Sequence, residues 1–121
     1  VWLASYPKSG NTWARLFLAN YVANTDAPLP IDKVRFFGTG DSIKYHYDKL
    51  AGRPIDSTDL ATVLSLRPRM LSAVVANDAD INVVKTHNIR TEVHGVPLVP
   101  TSLTRCAIYI IRNPLDMVLS S

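Results

Sequence analysis

An α/β fold with a central parallel sheet flanked by helices is what this 121-residue sequence predicts. Three observations carry that expectation. The chain opens on an apolar run, Val1-Trp2-Leu3-Ala4, that passes through a short polar loop directly into a helical pattern, the strand–loop–helix order of an α/β unit. Cys106 to Ile111 is nearly continuous in apolar residues and rich in β-branched ones, as expected of a strand covered on both faces in a parallel sheet. Between these two runs, helical stretches precede another short strand, Ile81 to Lys85, so strands and helices alternate along the chain.

Composition narrows the function classes. With 47% apolar and 19% charged residues the chain is globular and not disordered, and its length suits a single core. A net charge of +3 suits an anionic ligand, but no basic run with interleaved aromatics argues for nucleic acid as a partner. The longest apolar runs are too short to span a membrane, and a cytoplasmic location is the expectation. Cys106 is the only cysteine, so no intrachain disulfide forms, and with three scattered histidines it assembles no zinc cluster; no metal is expected. At the start of a strand, Cys106 is expected to act as a small buried hydrophobe in preference to a reactive thiol.

The first strand leads into Ser5-Tyr6-Pro7-Lys8-Ser9-Gly10-Asn11-Thr12-Trp13, which reads as a tight loop and a helix N-terminus. The first amides of a helix have no intrahelical partner and, with the helix dipole, favour an anion placed over them. Lys8 adds a positive charge, Gly10 permits close backbone approach, and Ser9 and Thr12 offer hydroxyl donors. Taken alone, Lys-Ser-Gly could equally be a polar turn that caps a helix. The order of residues does not fit the common nucleoside-triphosphatase loop, in which Gly-Lys-Ser/Thr closes a longer glycine-bounded turn. Trp13, Leu16, Phe17 and Tyr21 follow a helical period, which predicts a helix with that face on the core.

Asn24 to Pro30 is a loop by composition, and Ile31 to Arg53 has no sustained period and is expected to be irregular. Within it, Lys44-Tyr45-His46-Tyr47-Asp48 is either part of an acceptor pocket or, the favoured alternative, a partly exposed aromatic turn. Ser57-Thr58-Asp59 caps a helix carrying Leu60, Val63 and Leu64; Arg67-Pro68-Arg69 is expected to interrupt it, with both arginines solvated, before Met70, Leu71, Val74 and Val75 resume a helical face. Lys85-Thr86-His87-Asn88 lies at the end of a strand, where α/β folds carry ligand residues. Ile89 to Thr104 is expected to form a loop over the site, with His94 on the surface. Arg112 ends the last strand, and Asn113-Pro114 starts a helix with Asn as cap, Pro in its first turn and Asp116 following.

Three of these stretches, in this order, resemble the sulfotransferases that use 3′-phosphoadenosine 5′-phosphosulfate (PAPS). Tyr6 to Trp13 is similar to their 5′-phosphosulfate loop, with Asn11 where cytosolic members usually carry Thr; Lys85-Thr86-His87 matches the run that supplies their catalytic base; Arg112 and Ser120, eight positions apart, resemble their 3′-phosphate site. The resemblance implies a P-loop-like nucleotide-binding fold and sulfuryl transfer from PAPS, without a metal, to a hydroxyl or amine of a small-molecule acceptor. It implies catalytic roles for His87, Lys8 and Lys85, and nucleotide contacts from Lys8, Ser9, Gly10, Asn11, Thr12, Trp13, Arg112 and Ser120. Trp13 then lies against the adenine-nucleotide side of the site, or is simply the first core contact of its helix. Family members continue past this point with a basic, glycine-containing segment that completes the 3′-phosphate site. Residues 1–121 are therefore expected to be the N-terminal part of one sulfotransferase domain, with the C-terminal part absent. The alternative is a truncated, noncatalytic nucleotide-binding fragment.

Overall fold

The computed structural model describes residues 1–120. In chain order its elements are β1 (Trp2–Ser5), α1 (Asn11–Ala23), a 3₁₀ helix (Ile31–Phe36), β2 (Thr39–Gly40), α2 (Lys44–Ala51), α3 (Leu60–Val75), β3 (Val84–Thr86), β4 (Glu92–Val93), β5 (Val96–Pro97), a second 3₁₀ helix (Thr101–Leu103), β6 (Ala107–Ile110) and α4 (Pro114–Leu119). The main sheet runs β2-β3-β1-β6 and all of its pairings are parallel, while β4 and β5 form a separate antiparallel hairpin. This is the predicted α/β class, a parallel sheet flanked by helices.

Strand alternation sorts the side chains to the two faces. Trp2 and Val84, paired across β1 and β3, turn to one face and join Tyr47, Ile55, Met70 and Leu71 from the α2–α3 side in a buried cluster. Leu3, fully buried, and Ser5 turn to the face on which α1 rests; the Asn11 amide donates to the Leu3 carbonyl at 3.0 Å and to Ser5 Oγ at 3.2 Å. Trp2 also anchors the segment before β6, because its indole N–H donates to Thr104 Oγ1 at 2.7 Å.

The contents of several elements differ from the sequence expectations. In α1, Trp13, Phe17 and Tyr21 are 74%, 60% and 76% exposed, so the aromatic stripe faces away from the core. The inward positions are Asn11, Arg15 and Ala19, spaced four residues apart on one stripe, of which Asn11 and Ala19 are buried. A short amide and a methyl let the helix settle close to the sheet, and the bulky rings are left outside.

Helix α3 runs unbroken through Pro68. Proline costs about 3 kcal/mol in a helix interior, but here Leu64, Arg67, Met70 and Leu71 are all buried on one side and hold the turn in place. Asp59 caps the helix, accepting from the Thr62 amide at 3.3 Å.

The stretch expected to be irregular contains both β2 and α2. Two residues cannot announce a strand by propensity; Thr39 and Gly40 join the sheet because β3 supplies the partners, through Thr39 N–H to Val83 C=O at 3.1 Å. Gly38 makes that approach possible, since a Cβ there would sit 2.7 Å from the Val83 carbonyl oxygen. At the opposite side, β1 is the one strand paired with β6 among the described residues; Ile108, Tyr109 and Cys106 are exposed, and the expectation of a strand covered on both faces fails there.

Candidate functional site

The strand-to-helix loop between β1 and α1 is built from backbone conformations that few residues accept. Lys8 has φ 64° and Gly10 φ 102°, and the Ser9 amide donates back to the Tyr6 carbonyl at 3.3 Å. Alternation between left- and right-handed residues turns successive amides to one side of a loop, the arrangement that cradles anions. The first bond of α1 runs from Ala14 N–H to the Gly10 carbonyl at 3.0 Å, so the amides of Asn11, Thr12 and Trp13 lie ahead of the intrahelical ladder. A positive φ at a lysine is uncommon and is held here by its surroundings. Arg112 donates to the Lys8 carbonyl at 3.0 Å, and the buried Ser9 hydroxyl donates to the Met117 sulfur at 3.0 Å.

Two side chains of the predicted anion loop therefore serve its architecture. Asn11 is buried and braces β1, and Ser9 is tied to α4; both contribute backbone to the loop's mouth. Lys8, Thr12 and Trp13 are exposed at its surface. The exposure of Trp13 rules out its reading as a core contact and leaves the ring open to solvent beside the loop.

Across the sheet, β3 delivers Lys85, Thr86 and His87 to the same end. His87 Nδ1 lies 2.7 Å from the Ser5 carbonyl. A carbonyl only accepts, so Nδ1 carries a proton, and in the neutral ring the lone pair is then on Nε2, the tautomer a general base requires. Lys85, half-buried, turns to the α1 side. Burial lowers its ammonium below the ordinary lysine range, the charge of Arg15 lowers it further, and Asp41 partly opposes both.

Thr86 is fixed by a polar cluster that nothing in the sequence pattern disclosed. Asp41 Oδ2 accepts from Arg67 Nη2 at 2.6 Å, Thr86 Oγ1 at 2.7 Å and Asn88 Nδ2 at 2.9 Å, and Asp41, Arg67 and Thr86 are 2%, 3% and 1% exposed. Arg67 also donates to the Tyr47 hydroxyl and to the Leu98 carbonyl, joining α3, α2 and the segment after the hairpin to the end of β2. Burial pushes the Asp41 carboxyl up, but hydrogen bonds from Thr86, Arg67 and Asn88 and the adjacent guanidinium outweigh it and hold the group below the usual carboxylate range. The solvated role expected for Arg67 is thus corrected: beside Pro68 it turns inward to meet an acid 26 residues earlier in the chain.

The remaining predicted positions are placed as follows. Asn113 caps α4, its Oδ1 accepting from the Leu115 amide at 3.0 Å. Ser120 follows α4 and its hydroxyl donates to the Met117 carbonyl at 3.0 Å, whereas Arg112 stands at the loop. Lys44 to Asp48 lies in α2, not in a turn: Lys44 pairs with Asp48 at 2.7 Å, His46 Nε2 meets Thr39 Oγ1 at 2.8 Å, and Tyr47 is in the core. His94 and Gly95, with φ 50° and 76°, make the tight turn of the β4–β5 hairpin, and His94 is exposed as expected.

The loop between β1 and α1, His87 and Arg112 thus lie together at the carboxyl ends of β1, β3 and β6, where open parallel sheets bind their ligands. Searches among curated proteins and among solved structures find no match. A family model described as the sulfotransferase domain matches residues 1–121, the whole of the sequence. Its span covers all three elements that meet at this end of the sheet, and the chain belongs to the sulfotransferase family.

Proposed function

We propose that this sulfotransferase takes its sulfuryl group from PAPS and passes it to a hydroxyl or amine of a small-molecule acceptor, with His87 as the general base. The single observation that carries the proposal is the 2.7 Å contact between His87 Nδ1 and the Ser5 carbonyl, which makes Nε2 the acceptor of the neutral ring, beside the strand end that continues into the loop.

The residues present suit the donor. The positive φ angles of Lys8 and Gly10 and the unspent amides at the start of α1 form a cradle for the 5′-phosphosulfate, and Lys8 adds a charge beside it. Arg112, held against the loop by the Lys8 carbonyl, retains further guanidinium donors for a 3′-phosphate, with Ser120 as the second candidate there. Exposed Trp13 offers a face to the adenine side.

PAPS supplies an activated sulfuryl group when bound. His87 Nε2 takes the proton of the attacking hydroxyl or amine as its lone pair forms the new bond to sulfur. Lys8 balances the negative charge that grows on the bridging oxygen as its bond to sulfur breaks, and Lys85 stands beside the group in transit. The Asp41–Thr86 contact fixes the strand end from which His87 projects.

The test is PAPS-dependent sulfuryl transfer by the parent and by His87→Ala. Loss of the base is expected to lower kcat by ~10²- to 10⁴-fold while affinity for adenosine 3′,5′-bisphosphate stays at the parent value. An unchanged kcat removes His87 from the chemistry.

A further inference from the structure

Arg15 occupies a position that a helix normally gives to a hydrophobe. It lies between buried Asn11 and Ala19 on the stripe of α1 that faces the sheet. Its Nε is buried and has no hydrogen-bond partner among the described residues. Burial weakens the hold of the guanidinium on its proton, and its charge in turn bears on Lys85. Among the described residues the ion pairs are Lys44–Asp48 and Arg67–Asp41, so neither Arg15 nor Lys85 forms one, although the Asp41 carboxylate bears on Lys85 from a distance. Asp41 is the acid nearest in the fold, and its carboxylate is already committed to Arg67, Thr86, Asn88 and Ser42.

These two cations are not sealed in. Arg15, Lys85 and His87 line an open cavity of about 340 Å³ together with Thr86 and the segment from Gly40 to Ile43, which includes the Asp41 carboxylate. Two like charges partly stripped of water, with an orphaned donor, repel each other and destabilise the fold unless something in the cavity compensates them. An anion does so at both cations. The proposed base stands in the same cavity, so the molecule that brings the anion is placed to present a hydroxyl or amine to His87.

We propose that Arg15 is an anion-recognising subsite for the acceptor, selecting small acceptors that carry a carboxylate, sulfate or phosphate besides the group that is sulfated. This rests on the reading of His87 as the base of a sulfuryl transfer. The shared chemistry is an oxyanion gripped by a guanidinium, and the rival source of that oxyanion is the nucleotide donor.

The experiment is a calorimetric titration at fixed ionic strength with 4-hydroxybenzoate and, as the uncharged match, its methyl ester, on the parent, Arg15→Gln and Arg15→Lys. The acid is expected to bind the parent about tenfold or more tightly than the ester, since a charge-assisted bond to a partly buried cation is worth at least that factor. Arg15→Gln is expected to abolish the preference and Arg15→Lys to keep part of it, with adenosine 3′,5′-bisphosphate binding unchanged in both. An equal affinity for acid and ester in the parent, or a preference that survives Arg15→Gln, overturns the proposal. So does a loss confined to bisphosphate binding, which assigns the cation to the donor. Selective binding of the acid without any sulfuryl transfer upholds the anion subsite and removes the transfer reading instead.

Discussion

The two halves of the sheet are finished differently. On the β2–β3 half, α2 and α3 cover the strands, and the polar cluster beneath them is sealed, with Asp41, Arg67 and Thr86 at 3% exposure or less. On the β6–α4 half, Tyr109 is 65% exposed and Leu115 and Leu119 are 73% and 86% exposed; the anion loop is held there by two side chains, Arg112 on Lys8 and Ser9 on Met117. In the proposed function both halves deliver residues to one site. The sealed half fixes the strand end that carries His87, while the open half presents exposed donors. A base needs a fixed position within a few tenths of an ångström, whereas phosphate groups are gripped by mobile cations and by amides that must stay reachable.

The contrast can be broken most severely at Arg67. Arg67→Met keeps much of the side-chain volume but strands the Asp41 carboxylate without its cation, and about 3–5 kcal/mol of stability should be lost in denaturant unfolding. A loss below about 1 kcal/mol would mean that water reaches Asp41 and that this half is no more sealed than the other.

Acid should sharpen the same distinction by a smaller amount. Burial raises the Asp41 carboxyl, yet Thr86, Arg67 and Asn88 together hold it below its ordinary value. A carboxyl depressed in the folded state contributes stability above its unfolded pKa of about 3.9 and loses it as pH falls through the folded value. Parent stability is therefore expected to decline below about pH 4. In Arg67→Met the part of the depression due to the guanidinium is lost while Thr86 and Asn88 remain, so the decline attributable to Asp41 should shrink; equal acid sensitivity in the two proteins would detach it from this pair.

The smallest effect on stability is expected on the open half. Trp13→Ala removes a ring that is 74% exposed and should leave unfolding within about 0.5 kcal/mol of the parent. A stacking role predicts instead a loss of adenosine 3′,5′-bisphosphate affinity of ~1–3 kcal/mol. Unfolding that shifts by more than about 1 kcal/mol would return the ring to a packing role.

What the sequence disclosed follows the same division. The loop from Ser5 to Trp13, the strand-end Lys85-Thr86-His87 and the Asn113 cap were legible because their physics is local: a strand, a turn and a helix start lie within a few residues of one another. Asp41 and Arg67 were not, since an ion pair formed across 26 residues leaves no periodic trace and proline beside Arg67 suggested solvent. Thr39–Gly40 became a strand through its partner and not its composition. The apolar run of β6 gave the strand correctly and its burial wrongly, because residue type reports a strand but not what packs over its faces. The aromatic period of α1 likewise located the helix but pointed to the wrong face; the stripe of Asn11, Arg15 and Ala19 is the one turned to the sheet.

The central claim, that the loop after β1 and Arg112 form one nucleotide site beside His87, is tested most directly by calorimetric titration with adenosine 3′,5′-bisphosphate against adenosine 5′-phosphate, on the parent, Lys8→Ala and Arg112→Ala. The expected result is tighter binding of the bisphosphate by the parent, weaker binding of both nucleotides by Lys8→Ala, and loss of the preference for the 3′-phosphate in Arg112→Ala. Equal affinities for the two nucleotides, or no binding of either by the folded chain, would contradict it.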